Sequence, residues 1–217
     1  MRIPFDAKNI EERFAQIAEI IKDRCVIKYL DDEYRILDFE FYYYNQNHQD
    51  ISVHPRNSEA LSWYINDFGG IDLNFESKIK RVPVQLNKKI SFKYELSDSS
   101  YFGGILIRQI QRLSDNLVLD GPLKVADLFR ILDATSHRQS NPTLKIKQLT
   151  PIEFKKQTRH NLLGNHKGDI TERTKAKADY NIQDCFTAID DSKRQVLENE
   201  LARFYECEYR YCWVKSK

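Results

Sequence analysis

Apolar residues recur at helical spacing in three segments of the chain. The first segment places them three to four positions apart, at Ile10, Phe14, Ile17, Ala18 and Ile21. This spacing puts the apolar side chains on one face of a helix. We expect helices over residues 9–25, 123–132 and 190–205. Pro122 precedes the second of them and suits the first turn of a helix, where its missing N–H needs no partner.

Short runs of β-branched and aromatic residues predict the strands, over residues 26–30, 34–44, 61–66, 70–75, 90–96, 105–107 and 209–214. Along the run ILDFEFYYY, side chains alternate, so Asp38, Glu40 and Tyr42 share one face. Residues 78–83 and 140–151 are expected to be loops, and residues 152–156 to begin a short helix. Together these elements predict a mixed α/β (α+β) fold, a single domain over residues 1–217 with a curved, largely antiparallel sheet surrounded by helices.

Composition narrows the class of protein. The chain has 217 residues, of which 41% are hydrophobic and 30% charged, and it has no apolar run of membrane-spanning length. We therefore expect a cytoplasmic protein with no membrane partner, and a monomer because no coiled-coil heptad or apolar stripe stands out. Its four cysteines lack metal-ligand spacing and are expected to be free thiols, mostly buried. A net charge of +2 means that any nucleic-acid surface must be a local patch.

Five residues could form one pocket if the strands bring them together: Glu40, Tyr42, His54, Tyr64 and Arg108. A carboxylate such as Glu40 can deprotonate a water, and a guanidinium can hold that water or the carboxylate in place. Arg108 directly follows an apolar strand, a position at which arginine is usually paired or functional. Aromatic rings and a histidine can stack on a planar ligand. The residues indicate a nucleobase pocket.

Four sequence blocks in this region resemble the alkyladenine (3-methyladenine) DNA glycosylase family. They are DFEFYY, LSWYINDFGGIDLNFES, GGILIRQIQRL and GPLKVADLF, in the family's order and within residues 36–131. The resemblance implies a monofunctional hydrolase of damaged purine bases in DNA, duplex or single-stranded, with no metal or cofactor. It further implies that Glu40 activates the water, that Arg108 orients it, and that the flipped base is held by Tyr42, His54, Tyr64 and Asn74.

The chain departs from the family at three places. Asp67 occupies the position of the aromatic wedge that fills the gap left by a flipped base, and Phe68 follows it. The loop before His54 is longer, and residues 76–100 form an insertion. Farther along, the basic segment 159–177 is expected to be a mobile loop or a phosphate-contacting surface, with Arg159, His160 and Lys167 as the possible contacts.

Other interpretations stay open on the sequence. Glu40 and Arg108 can form an ordinary structural ion pair, the tyrosines can pack in the sheet, and the basic residues can be solvated. The runner-up function is a non-catalytic module that binds nucleic acid or nucleotide in the same pocket. A third hypothesis is a metal site made by His48, Asp50 and His54, although their spacing matches no familiar ligand pattern.

Overall fold

The computed structural model describes residues 9–65, 70–86, 89–136, 142–159, 179–187, 189–205 and 207–214. The helices are α1 (Ile10–Arg24), α2 (Pro122–Ser136) and α3 (Asp191–Tyr205), with a π-helical turn at Asn181–Cys185. The strands are β1 (Cys25–Tyr29), β2 (Asp32–Asn45), β3 (His48–Gln49), β4 (Trp63–Ile65), β5 (Ile71–Asn74), β6 (Lys80–Leu86), β7 (Lys89–Glu95), β8 (Phe102–Arg112), β9 (Val118–Asp120), β10 (Thr143–Ile146), β11 (Phe154–Gln157) and β12 (Arg210–Trp213).

Ten of these strands form one curled antiparallel sheet, and β2 and β8 are its centre. The order across the sheet is β10-β1-β2-β8-β5-β4, with β12 also paired to β2. Strand β2 is long enough to pair with β1 over its first residues and with β12 from Asp38 to Glu40. With helices packed around the sheet, the fold is mixed α+β, which confirms the predicted fold class.

The first helix forms where the apolar spacing predicts it. All five periodic apolar residues are buried, and the Asn9 side chain accepts a hydrogen bond from the Glu12 backbone N–H at 3.0 Å. That bond satisfies one of the donors left open at a helix N-terminus. The helix packs on β2, where the rings of Phe14 and Phe41 stack with centroids 4.3 Å apart. None of the helices in the described ranges combines the length and apolar composition that crossing a bilayer requires.

Strand β2 separates two layers of the interior. Phe39, Phe41 and Tyr43 belong to the larger apolar cluster, which includes α1 and part of α2. Tyr42 and Tyr44 point the other way, into a second cluster with Ile51, Val53, Phe102, Phe186, Leu197 and Leu201. Glu40 is a polar residue on the same face of β2 as Tyr42, because side chains alternate along a strand.

Three segments differ from the sequence predictions, because pairing across the sheet overrides a weak local pattern. Residues 80–86 form β6 and residues 143–146 form β10, where loops were predicted, and residues 154–157 form β11 in place of a short helix. Strand β10 pairs with β1, and β11 pairs with β12. Strands β10 and β11 are edge strands with largely exposed residues, as is common at sheet edges. Strand β6 does alternate, with Val82 and Val84 half-buried between exposed residues, and the loop prediction overlooked this short pattern. All four cysteines are free and three are buried, as predicted.

Gly103 is expected to tolerate no side chain. A Cβ at this position would lie 2.2 Å from the carbonyl oxygen of Tyr42, a backbone atom held by the β2–β8 ladder. We expect Gly103→Ala to lower the free energy of unfolding by roughly 3 kcal/mol or more, because the ladder itself must shift. The free energy of unfolding is measured by urea denaturation, with circular dichroism as the signal.

Gly121→Ala is the matched control. Its Cβ would meet nothing within 4 Å, while its φ of +109° leaves only backbone strain. A loss of about 1–2 kcal/mol is expected there. Equal losses in the two variants would contradict the steric explanation for Gly103.

Candidate functional site

A row of residues crosses the sheet at Glu40. The strand register places Glu40 opposite Leu106, Leu106 opposite Asp72, and Asp72 opposite Tyr64. Residues directly opposite each other on paired strands project from the same face. Glu40 and Tyr64, predicted to share a pocket, therefore lie on one face of the sheet.

A second row runs parallel to the first, two residues farther along. It places Tyr42 opposite Gly104 and Gly104 opposite Asn74. Four of the predicted site residues thus occupy two adjacent rows: Glu40, Tyr42, Tyr64 and Asn74. Gly104 has no side chain, and the Arg56 guanidinium lies over it, since a Cβ at this position would be 2.7 Å from Arg56 Nη2.

Glu40 is the centre of a buried polar cluster. Its side chain is fully buried, and its two oxygens have different partners. One oxygen lies 3.2 Å from Arg108 Nη1, and the other accepts a hydrogen bond from the Tyr42 hydroxyl at 2.8 Å. Burial, followed by the charge of Glu40, raises the pKa of Tyr42 well above its ordinary value. The phenol therefore remains protonated and donates to the carboxylate.

Arg108 reaches Glu40 through an irregularity of the sheet. The β2–β8 register pairs Asp38 with Gln109 and then Phe39 with Ile107, so Arg108 is an extra residue on β8. Such bulges redirect a side chain, and they are common beside active sites. The Arg108 side chain is 13% exposed and that of Glu40 is 0% exposed. Arg108 thus connects the buried carboxylate with the outer edge of the cluster.

Arg159 is part of this interior, which corrects its predicted role as a phosphate contact. Its Nη1 donates to Asp50 at 2.6 Å and its Nη2 donates to the Phe204 carbonyl at 3.2 Å. The guanidinium also lies 4.7 Å from the centroid of the Tyr42 ring. Because it is only 8% exposed and ion-paired, this cation is directed at Asp50 and Tyr42 and is not presented to a phosphate at the surface.

The charges of this buried pair stabilise each other. Burial lowers the pKa of the Arg159 guanidinium, but the nearby Asp50 and Tyr42 outweigh that effect and the net pKa lies above the ordinary value. Burial also raises the pKa of Asp50, while Arg159, His48 and a Ser52 hydrogen bond bring it below its usual range. Both groups are therefore charged in the folded protein.

Three rings lie nearly parallel beside the polar cluster. The ring of His54 makes an angle of 18° with Tyr64, at a centroid distance of 5.9 Å, and 17° with Tyr180, at 6.5 Å. Arg56 lies 4.7 Å from the centroid of Tyr64 and forms a buried ion pair with Asp72 at 2.7 Å. Arg56 was not predicted as a site residue, because nothing in the sequence of its loop indicates that the loop folds back over the sheet.

The loop that carries His54 is fixed by the π-helical turn. Asn181 Nδ2 donates to the carbonyls of Ile51 and Val53, at 2.8 and 3.1 Å. Cys185 Sγ lies 3.8 Å from His54 Nδ1. This turn was missed in the sequence, because it carries no helical periodicity, although π-helical turns are frequent at functional sites.

Asn74 lies beside Gly104 in this second row. Its Nδ2 donates to Ser62 Oγ at 3.0 Å, while its buried Oδ1 has no hydrogen-bond partner among the described residues. A buried acceptor without a partner is costly, and it is satisfied when a donor binds next to it.

The predicted residues His160 and Lys167, and the wedge positions Asp67 and Phe68, lie outside the described residues.

The three residues of the metal hypothesis have other partners. His48 Nε2 lies 3.0 Å from the Tyr209 hydroxyl, Asp50 binds Arg159, and His54 faces Cys185. In the part of the chain that the structure describes, no group of three or more His, Cys, Asp or Glu side chains is placed to hold a metal ion.

His48 is expected to make stability depend on pH. Burial lowers the pKa of His48 from its ordinary value of 6.5, so the folded protein favours the neutral ring. The unfolded chain then binds more protons, and stability falls as the pH drops from about 6.5 toward the lowered value. We expect His48→Phe to reduce this loss between pH 7 and 5, measured by urea unfolding. The same pH dependence in both proteins would contradict the assignment to His48.

Comparison with known proteins adds a partial match. No family model matches the chain, and no solved structure matches it. A curated relative named Uncharacterized protein L759, from Acanthamoeba polyphaga mimivirus, is 27% identical over 117 residues. The match covers 52% of this chain and 54% of the relative, so the chain spans about half the length of the curated relative it matches. The relative's name gives no activity, and the chemistry of the site must carry the functional proposal.

Proposed function

We propose that this protein hydrolyses the N-glycosidic bond of a damaged or modified purine base in DNA. The observation that carries the proposal is the fully buried Glu40, bound by Arg108 and Tyr42, in a row that ends at Tyr64 and its neighbour His54. The sequence blocks that resemble alkyladenine DNA glycosylases supply the same residues in the same order.

The reaction needs one general base, which accepts a proton, and one bound water. Glu40 accepts a proton from the water as its oxygen attacks the sugar carbon that holds the base. The bond between that carbon and the purine nitrogen breaks, and its electron pair leaves with the base. A purine alkylated at N3 or N7 is already cationic and leaves as a neutral molecule. A deaminated purine is neutral, leaves as an anion and takes a proton from the solvent. Arg108, at the outer edge of the cluster, orients the water or the carboxylate.

The rings supply the binding part of the reaction. A base that leaves the stack is held between aromatic side chains, and unstacking costs least for a damaged or unpaired base. His54 and Tyr64 are within 18° of parallel, the orientation that contact with both faces of a planar base requires. The Oδ1 of Asn74, which has no partner among the described residues, is an acceptor for an N–H group on the edge of the base.

A second candidate function is a module that binds nucleic acid or nucleotide without turnover. The observation that favours it is the complete pairing of Glu40, since both oxygens already have partners, as in a structural ion pair. In that case the aromatic rings bind a nucleobase, and the Glu40 carboxylate only stabilises the sheet.

Base release separates these two functions. The wild-type protein is incubated with single-stranded and duplex DNA that carries N-alkylated or deaminated purines, with and without a chelator. We expect release of the modified base that the chelator does not change. Folded protein that releases nothing from either form of DNA would contradict the hydrolase and favour the binding module. Release abolished by the chelator would favour the metal hypothesis.

A further inference from the structure

The hairpin of β6 and β7 concentrates positive charge outside the main sheet. The two strands form a two-stranded sheet of their own. Residues 78–86 and 89–95 contain five cationic residues, Lys78, Lys80, Arg81, Lys89 and Lys93, and one anionic residue, Glu95. Their net charge of +4 exceeds the +2 of the whole chain, so the other residues together sum to −2. The hairpin therefore carries a local excess of positive charge.

One face of the hairpin presents exposed apolar groups beside one of these cations, Arg81, while Lys80 and Lys93 lie on the opposite face. The register places Pro83 opposite Phe92 and Gln85 opposite Ile90, so these side chains share a face. Ile90 is 75% exposed and Phe92 is 45% exposed. Arg81, on the same face, lies 3.7 Å from the centroid of the Phe92 ring. Cations beside exposed rings are the combination by which proteins bind unpaired nucleic-acid strands.

The hairpin is anchored to the same turn that holds the His54 loop. Lys93 Nζ donates to the carbonyl of Gln183 at 2.7 Å, and the Tyr94 carbonyl accepts from the Thr187 backbone N–H at 2.8 Å. Gln183 belongs to the π-helical turn Asn181–Cys185, whose Asn181 binds the backbone before His54. The hairpin and the loop that carries His54 are therefore held by the same turn.

From these observations we infer that the β6–β7 hairpin binds single-stranded DNA next to the nucleotide in the candidate site. The inference deepens the proposed function and rests on it. Phe92 contacts an unpaired base and Arg81 beside it pairs with a backbone phosphate. Lys78 and Lys80 reach phosphates from the other side of the hairpin, and Lys80 exchanges its pair with Glu95 for the phosphate. The charge of the hairpin is complementary to the polyanion.

The test measures binding of a short, undamaged single-stranded oligonucleotide by fluorescence anisotropy at several salt concentrations. The triple variant Lys78→Gln, Lys80→Gln, Arg81→Gln is expected to bind at least about tenfold more weakly. The slope of log affinity against log salt should become shallower by about 2, since each lost phosphate contact removes roughly 0.7. Phe92→Ala is expected to weaken binding by about fivefold or more, through lost stacking.

Matched variants control for charge and for exposed apolar area. Lys145→Gln, Lys155→Gln, Lys156→Gln makes the same change of charge at exposed positions on or beside other strands, and Ile146→Ala removes an apolar side chain that is 73% exposed. Both controls should keep wild-type affinity and salt slope. Thermal unfolding verifies that all variants are folded, which is expected because the changed side chains are exposed.

The outcomes distinguish this inference from the proposed function. Wild-type affinity in the hairpin variants, or an equal loss in the lysine control, would overturn the inference, as would tighter binding to duplex than to single-stranded DNA. Hairpin-dependent binding without release of any base would refute the hydrolase and support the DNA-binding surface. Base release with hairpin-independent binding would do the reverse.

Discussion

Glu40→Gln is expected to lower the rate of base release by about a hundredfold to ten-thousandfold, the usual contribution of a general base. The amide has almost the same shape and can still accept a hydrogen bond from Tyr42 or Arg108. Its cost to the free energy of unfolding is therefore expected to be only about 1–3 kcal/mol. Single-turnover release of base measures the rate, and urea unfolding measures the stability.

Asp38→Asn is the matched control for this substitution. Asp38 lies two residues earlier on β2, is also buried, and forms its own hydrogen-bonded ion pair with Arg210. If Glu40 acts chemically, Asp38→Asn should retain most of the rate while losing a similar amount of stability. Equal losses of rate in the two variants would mean that Glu40 acts only through the structure of the sheet.

Arg159→Met is expected to have the largest effect on stability. It leaves the Asp50 carboxylate buried and without its cation, and removing one partner of a buried ion pair typically costs about 3–5 kcal/mol. The loss should be greatest at neutral pH. Without Arg159, burial raises the pKa of Asp50 in the folded variant above its pKa in the unfolded chain. The variant therefore loses stability as the pH rises from the unfolded pKa toward the raised folded pKa. The difference from wild type should shrink as the pH falls toward 4.

Two further variants make this result interpretable. The double variant Arg159→Met, Asp50→Asn removes both charges, and its loss should be smaller than the sum of the two single losses, because neither charge is left alone. Arg203→Met is the exposed control, since Arg203 is 59% exposed in its pair with Glu200 and should change stability by less than about 1 kcal/mol. An Arg159→Met loss no greater than that of Arg203→Met would contradict a stabilising role for the buried pair.

The parts of the fold that the sequence predicted are those with strong periodicity. The apolar spacing of α1 and the alternation along β2 both follow from which side chains must leave water. Alternation placed Glu40 and Tyr42 on one face, and the structure adds Arg108 at 3.2 Å. The edge strands β10 and β11 were missed because their partners are distant in sequence and their own residues are polar.

The predicted role of Arg159 failed for a related reason. A basic segment is usually solvated, and the partner that draws Arg159 inside, Asp50, lies 109 residues earlier. Sequence spacing gives no sign of such a contact. The same holds for Arg56, which reaches Tyr64 only because Gly104 leaves room: a Cβ there would lie 2.7 Å from its Nη2. Long-range side-chain contacts of this kind depend on the register of the sheet, which the local pattern does not define.

The most direct test of the proposed chemistry traces the oxygen of the water. Wild-type protein is incubated with single-stranded DNA carrying an N-alkylated purine in water enriched in heavy oxygen, and the products are analysed by mass spectrometry. At reaction times shorter than the exchange of the abasic aldehyde oxygen with water, we expect free modified base together with an intact strand whose abasic sugar carries one heavy oxygen. A strand cut at that sugar, a covalent adduct with the protein, or no release of base would contradict hydrolysis by water activated at Glu40.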